Sequence, residues 1–279
     1  MVVHISILDA LILGVVEGLT EFLPVSSTGH LTVVEKLLGL SVDAPGVTAY
    51  TAIIQTGAIA AVIVFFWSDI VRLVRAWFAG LVHAEARRTF DYRYAWFVIW
   101  GTLPIGVVGY LARDLITGPL RSLWVVAGAL IVWSAVMWAA EARGSQHRGE
   151  QETRLADVLI VGVVQCFALI PGVSRSGATI SAALGRGLDR VSATRLSFFL
   201  SIPALVAAGI FELIPALQAG IPVLVLVIGL VVSFVVAYAS VAWLLRFVAG
   251  HPITAFVPYR VLAGVALAAV LATGVLSAT

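Results

Sequence analysis

The segment Asp9 to Gly29, DALILGVVEGLTEFLPVSSTG, occurs twice. Displaced by 148 positions it lies over Asp157 to Gly177, DVLIVGVVQCFALIPGVSRSG. Nine of the twenty-one positions are identical: Asp9/Asp157, Leu11/Leu159, Ile12/Ile160, Gly14/Gly162, Val15/Val163, Val16/Val164, Val25/Val173, Ser26/Ser174 and Gly29/Gly177. Chance agreement in a chain rich in Val, Ala, Leu and Gly is roughly two or three positions, so the chain is an internal duplication. Whatever one half folds into, the other must also adopt.

The solvent of that fold is a bilayer. With 61% hydrophobic and 11% charged residues over 279 positions, and a mean hydropathy of +1.07, the chain has no polar skin for a soluble globule. A spanning helix needs about 20 apolar residues. Apolar runs occur near 5–23, 47–67, 95–112, 122–140, 155–172, 195–218, 221–245 and 260–278. The first run of each half carries polar residues and is interrupted, at Pro24 and at Pro171-Gly172. Non-helical backbone at membrane depth is tolerated only inside protein or beside a water-filled cavity. Residues 5–46 and 153–194 are therefore read as re-entrant helix-loop-helix hairpins. The fold class is an all-α polytopic membrane protein in a single domain, 1–279. Its two inverted-topology repeats, about 5–140 and 153–278, each have one hairpin and three transmembrane helices, an odd number that inverts one half against the other and brings the polar turns together.

Charge placement gives an orientation. Arg72, Arg75, Arg87, Arg88 and Arg93 lie between Ser68 and Tyr94 against three acids, which marks this stretch as a cytoplasmic loop. Alternation then puts 113–121 outside, 141–154 and 246–260 (with Arg246 and Arg260) inside, and both termini outside. Arg113 and Arg121 run against the rule. A net charge of +2 gives no reason to expect nucleic acid. Cys166, the single cysteine, forms no intrachain disulfide or metal-ligand spacing. The N-terminal MVVHISILDALILG has no basic n-region and no small-residue cleavage site, so it is read as part of the mature fold. His4, His83, His147 and His251 lie near termini or loops without a second ligand.

The chemistry concentrates in the two turns. Glu17 and Glu21 are one helical turn apart and share a face. Carboxylates at membrane depth are costly, and a pair of them suits acid–base work or a divalent cation bridged to phosphate oxygens. After Pro24 come Ser26, Ser27, Thr28, Gly29 and His30, a turn able to offer hydroxyls and backbone N–H groups to an anion. The partner turn carries Ser174, Arg175, Ser176, Gly177 and Thr179. Arginine is the preferred planar fork for phosphate oxygens. A duplicated phosphate cradle has thus diverged into a catalytic half and a binding half. Glu17 faces Gln165, Glu21 faces Leu169 and His30 faces Ala178 at equivalent positions. Gln55, Tyr50 and the Ile202-Pro203 break are further candidates to line the cavity.

EGLTEFLPVSSTGH with PGVSRSGAT resembles the signature pair of the undecaprenyl-diphosphate phosphatases of the bacitracin-resistance type, and the resemblance extends over essentially the whole chain. It implies hydrolysis of undecaprenyl diphosphate to undecaprenyl phosphate, recycling the lipid carrier of bacterial cell-wall synthesis. It further implies a plasma-membrane location with the site open to the outer face, and dependence on Mg²⁺ or Ca²⁺. Glu21, Ser27, His30 and Arg175 match the family's essential positions, while Glu17 matches a position that is Glu or Gln. The implied partners are a polyprenyl diphosphate and membrane lipids; a homodimer is an open expectation. Two routes of attack stay open on the residues alone: Ser27 with His30 as its base, the route favoured here, or His30 attacking directly. An inverted-repeat transporter or flippase of a polyprenyl phosphate lipid is the competing function, since it also uses broken helices and midplane charges.

Overall fold

A computed structural model describes residues 5–42, 44–218 and 220–278, without side-chain detail at 45, 117 and 211–217. His4 lies outside the described residues. The chain is helical throughout: α1 (Ile7–Thr20), α2 (Ser27–Leu37), α3 (Pro45–Phe65), α4 (Trp67–Val82), α5 (Phe90–Leu111), α6 (Arg113–Thr117), α7 (Leu123–Arg143), α8 (Leu155–Gln165), α9 (Arg175–Gly185), α10 (Arg190–Gln218), α11 (Val223–Gly250) and α12 (Val257–Ala272). Among the described residues six helical segments are long and apolar enough to cross a membrane: those of α3, α5, α7, α10, α11 and α12. The pairs α1–α2 and α8–α9 are the two hairpins, too short to span as single helices. Each half thus holds one hairpin and three spans, as the sequence implies.

The two halves interlock. Hairpin helix α1 packs on α11 of the second half, while α8 packs on α5 of the first. The first-half spans α3 and α7 likewise pack on α10 and α12. The repeated glycines make the crossing close. A Cβ on Gly14 would stand 2.9 Å from the Gly229 carbonyl oxygen, and one on its equivalent, Gly162, 2.3 Å from that of Gly101. Small residues let backbones approach where lipid gives helices no hydrophobic reason to associate. The repeated aspartates are also explained. Asp9 accepts the N–H of Ser6 at 2.8 Å and Asp157 that of Arg154 at 3.0 Å, each closing the N-terminus of its hairpin.

One end of the bundle gathers ion pairs: Arg148–Asp157 (2.5 Å), Arg186–Asp157 (3.0 Å), Arg190–Glu141 (2.5 Å) and Arg195 with Asp69 (3.0 Å) and Glu150 (3.1 Å). At the other end Leu123 N–H meets the Ala278 carbonyl at 2.9 Å and Lys36 reaches that of Ser277 at 2.8 Å.

Three sequence readings are corrected. Ser68 to Tyr94 is not a loop, because α4 fills Trp67–Val82 and α5 begins at Phe90. Trp67, Val74, Phe78 and Leu81 are exposed along α4 while Asp69 and Arg72 pair with each other, the pattern of a helix lying in the interface plane. Pro203 breaks nothing: α10 runs unbroken from Arg190 to Gln218. Arg260 belongs to no loop; it is buried within α12.

Gly162→Ala is expected to lower stability in detergent by about 1–3 kcal/mol, because its methyl meets backbone that cannot yield. Gly128→Ala, whose Cβ would meet nothing within 4 Å, serves as the control and should not lower the melting temperature.

Candidate active site

Each hairpin turn ends in the same unusual residue. Ser26 has φ 79° and its repeat equivalent Ser174 has φ 76°, a backbone region that costs a non-glycine residue about 1–3 kcal/mol. Both serines cap the helix that follows: Ser26 Oγ accepts Gly29 N–H at 3.4 Å, and Ser174 Oγ accepts Gly177 N–H at 3.2 Å. The strained cap aims the first turn of α2 and of α9 at a common centre.

The turns touch there. Gly172 N–H donates to Ser26 Oγ at 3.0 Å, and Ser176 Oγ donates to the Leu23 carbonyl at 2.9 Å. The contact is not symmetric, because Gly172 faces Pro24 in the repeat and proline has no N–H to return the bond. The second half uses its serine hydroxyls instead. Arg260, with no exposed surface, closes the junction from α12. It donates to the carbonyls of Pro24 (2.9 Å), Gly172 (3.0 Å) and Val173 (3.1 Å) and to Ser134 Oγ on α7 (3.2 Å).

Glu21, Ser27 and Arg175 come together on the open side of this junction. Ser27 Oγ donates to Glu21 Oε2 at 2.5 Å, and Glu21 Oε1 is ion-paired with the Arg175 guanidinium. Side-chain exposures of 14% for Arg175 and 3% for Glu21 leave the guanidinium reachable and the carboxylate nearly enclosed. These three residues, with Ser26, Thr28 and Ser174, line a cavity of about 560 Å³. The rest of the wall is mostly apolar: Ile105, Gly106 and Gly109 on α5, and Pro203, Leu205 and Ala208 on α10. Gln55, Tyr110, Arg113 and Ile116 also line it. The cavity therefore extends from the turns along one face of α5 towards α6. Tyr50 is not in its wall; it is buried, with its hydroxyl on the Ala10 carbonyl at 3.2 Å.

The remaining sequence candidates lie outside the cavity wall. Glu17 sits one turn before Glu21 with 1% exposure, and its Oε1 has no hydrogen-bond partner. Its repeat equivalent, Gln165, is equally buried and leaves both amide atoms unpartnered. Buried polar atoms without partners are rare and mark places for water or a bound ion. Gly29, Ser176, Gly177 and Thr179 stand behind the turns; Thr179 bonds the Arg175 carbonyl at 2.8 Å and Ser197 at 2.6 Å.

His30 is not hydrogen-bonded to Ser27. Its Nδ1 lies 2.7 Å from the Ser26 carbonyl, which can only accept, so that nitrogen carries the proton. Nε2 of the neutral ring then accepts from the Tyr259 hydroxyl at 2.5 Å, with the two rings stacked 5.6 Å apart. Both ring nitrogens are occupied.

Sequence reasoning missed Tyr259 and Arg260. Their signal was an arginine in an apolar run preceded by a tyrosine, which the positive-inside argument absorbed as a loop charge.

Ser26→Ala is expected to destabilise the fold by about 1–3 kcal/mol, since it leaves the Gly172 and Gly29 N–H groups without their acceptor. Thr28→Ala, at an exposed position, should change stability by less than about 0.5 kcal/mol. Equal melting temperatures for the two variants would contradict this packing.

Comparison with known proteins adds a second line of observation. Residues 10–266 match the family model described as bacitracin resistance protein BacA. The chain is 57% identical over 274 residues to undecaprenyl-diphosphatase 1 of Streptomyces avermitilis, covering 98% of this chain and 99% of that protein. It is 58% identical over 273 residues to undecaprenyl-diphosphatase 1 of Streptomyces coelicolor, covering 98% of each. It is 56% identical over 275 residues to undecaprenyl-diphosphatase 1 of Frankia alni, covering 98% and 99%.

Proposed function

The chain belongs to the bacitracin resistance protein BacA family, and from that premise we propose that it hydrolyses undecaprenyl diphosphate to undecaprenyl phosphate and inorganic phosphate. The observation that carries the chemistry is one hydrogen-bonded row, Ser27 to Glu21 to Arg175, at the head of a largely apolar cavity. An isoprenoid tail needs only such apolar walls, and the diphosphate needs the polar head.

Ser27 is the nucleophile in this reading. Its Oγ attacks the terminal phosphorus, its proton passes to Glu21, and the bond to the bridging oxygen breaks to release undecaprenyl phosphate. Water then cleaves the phosphoserine and frees inorganic phosphate. The geometry favours Glu21 over His30 as proton acceptor, because Glu21 already holds the Ser27 hydroxyl. Direct attack by His30 is disfavoured, since both of its nitrogens are committed elsewhere. Arriving phosphate oxygens compete with Glu21 for Arg175. The carboxylate oxygen released by the guanidinium leaves Glu21 free to take the Ser27 proton. Arg175, Ser174 and the N-terminal N–H groups of α2 and α9 then face the charge that develops on the phosphoryl oxygens.

The donor set fits a divalent cation. Glu17 and Glu21 are hard oxygen donors one turn apart, and Glu17 Oε1 is unpartnered. Among the described residues no group of three or more His, Cys, Asp or Glu side chains stands ready as a complete cage. Glu17 and Glu21 would be the two protein carboxylates to hold such an ion. When bound, Mg²⁺ or Ca²⁺ would supply further neutralisation of the phosphoryl oxygens.

The membrane in this reading is the bacterial plasma membrane. The ion-paired end is cytoplasmic, the termini lie outside, and the cavity opens outward beside α6. What supports this is the run of arginines at one end and the course of the cavity towards Arg113 and Ile116 at the other.

The test is phosphate release from farnesyl or undecaprenyl diphosphate by the purified protein in detergent. The wild type is expected to release phosphate and to stop with EDTA, and Arg175→Ala to lose about 10²–10³-fold in rate. Ser27→Ala should lose at least as much, and Glu21→Gln nearly as much. Full activity in Ser27→Ala would move the attack to water, and a wild type that binds the lipid without releasing phosphate would favour the transporter.

A further inference from the structure

Arg260 takes no part in the reaction as described, yet it is the most completely buried cation in the described chain. Every hydrogen bond it makes goes to a neutral acceptor: three backbone carbonyls from the two turns and one serine hydroxyl. An uncompensated charge at membrane depth is expensive and persists where something anionic is to be met. Its neighbour Tyr259 holds His30, whose Nδ1–H in turn holds the Ser26 carbonyl. Two consecutive residues of α12 thereby fix the main chain of the first turn at Pro24 and Ser26 and of the second at Gly172 and Val173.

We propose that Tyr259 and Arg260 are the positioning pair of this active site, setting the two re-entrant turns in the orientation that binds and cleaves a diphosphate. The inference rests on the phosphatase reading for its substrate. In a trans peptide the N–H points opposite to the C=O. The Val173 carbonyl is turned to Arg260, so the Ser174 N–H is directed away from it, and Ser174 lines the cavity. The guanidinium thus stands directly behind the phosphate cradle. From there it holds the donors in place and adds a fixed positive charge to a head group whose other arginine is shared with Glu21. Tyr259 and His30 act one layer further back, bracing Ser26, the strained residue that precedes the nucleophile. On this account His30 positions the turn and does not exchange protons with the substrate.

Neither a positively charged side chain alone nor a packing role alone reproduces this arrangement, and conservative variants separate the three. Arg260→Lys keeps the charge but cannot reach four acceptors. Ser134→Ala removes only the Nε partner, and Tyr259→Phe removes only the hydroxyl on His30.

The experiment measures kcat and KM for farnesyl diphosphate, the melting temperature, and the rise in melting temperature produced by inorganic pyrophosphate. It uses the detergent-purified wild type and these three variants. Ser134→Ala and Tyr259→Phe are expected to melt near the wild type, with kcat down roughly tenfold and KM within about twofold. Arg260→Lys should lose about 100-fold in kcat and most of the pyrophosphate shift. If Arg260→Lys does not fold, Ser134→Ala and Tyr259→Phe decide. Folded variants with wild-type kcat and a wild-type pyrophosphate shift, whatever their melting temperature, would overturn the proposal. A pyrophosphate shift that depends on Arg260 in a protein releasing no phosphate would uphold the positioning pair and reject the phosphatase reading.

Discussion

Two interrupted helices inside a membrane expose peptide groups that lipid cannot satisfy, and the rest of this structure follows from how those groups find partners. They find them in one another and in Arg260. Gly172 gives its N–H to Ser26, Leu23 receives the hydroxyl of Ser176, and the carbonyls of Pro24, Gly172 and Val173 converge on a single guanidinium. Neither turn is tenable alone at that depth. The halves are consequently interlocked, with the first helix of each hairpin packed on a span of the opposite half.

The meeting of the turns is also what makes the site. Duplication supplied two capped turns with nearly the same backbone, at Ser26 and Ser174, facing a common centre. Divergence then gave them different side chains: Glu21 against Leu169, Ser27 against Arg175, His30 against Ala178. In the proposed reaction one half brings a hydroxyl and its proton acceptor, and the other brings the cation for the phosphate. Pro24 breaks the remaining symmetry by withholding an N–H, so Ser26 accepts a backbone N–H from the second half whereas Ser176 gives its hydroxyl to a backbone carbonyl of the first.

Much of this was legible in the sequence because it is written in spacing. The 148-residue offset, the Pro and Gly interruptions and the apolar runs specify two hairpins and six spans, and the turns announce Glu21, Ser27 and Arg175. What spacing cannot show is which partner a side chain chooses across the fold. Ser27 and His30 are three residues apart on α2, which suggests a couple, but Glu21 reaches Ser27 first and Tyr259, 229 residues distant, takes His30. Arg260 was misread for a related reason. A charge rule based on loops has no way to recognise an arginine hydrogen-bonded by carbonyls that converge only once two distant turns have met. Likewise α4 carries the arginines of a loop and the apolar spacing of an interfacial helix, and only the second feature governs its shape.

The central claim is that Glu21 of one half and Arg175 of the other act as a single unit. A double-mutant cycle with the conservative changes Glu21→Asp and Arg175→Lys, scored on kcat/KM for a prenyl diphosphate, tests it most directly. The account predicts that the double variant loses much less than the product of the single losses, with a coupling above about 1 kcal/mol. Additive losses would mean that the two residues act independently, and would contradict a site assembled across the repeat.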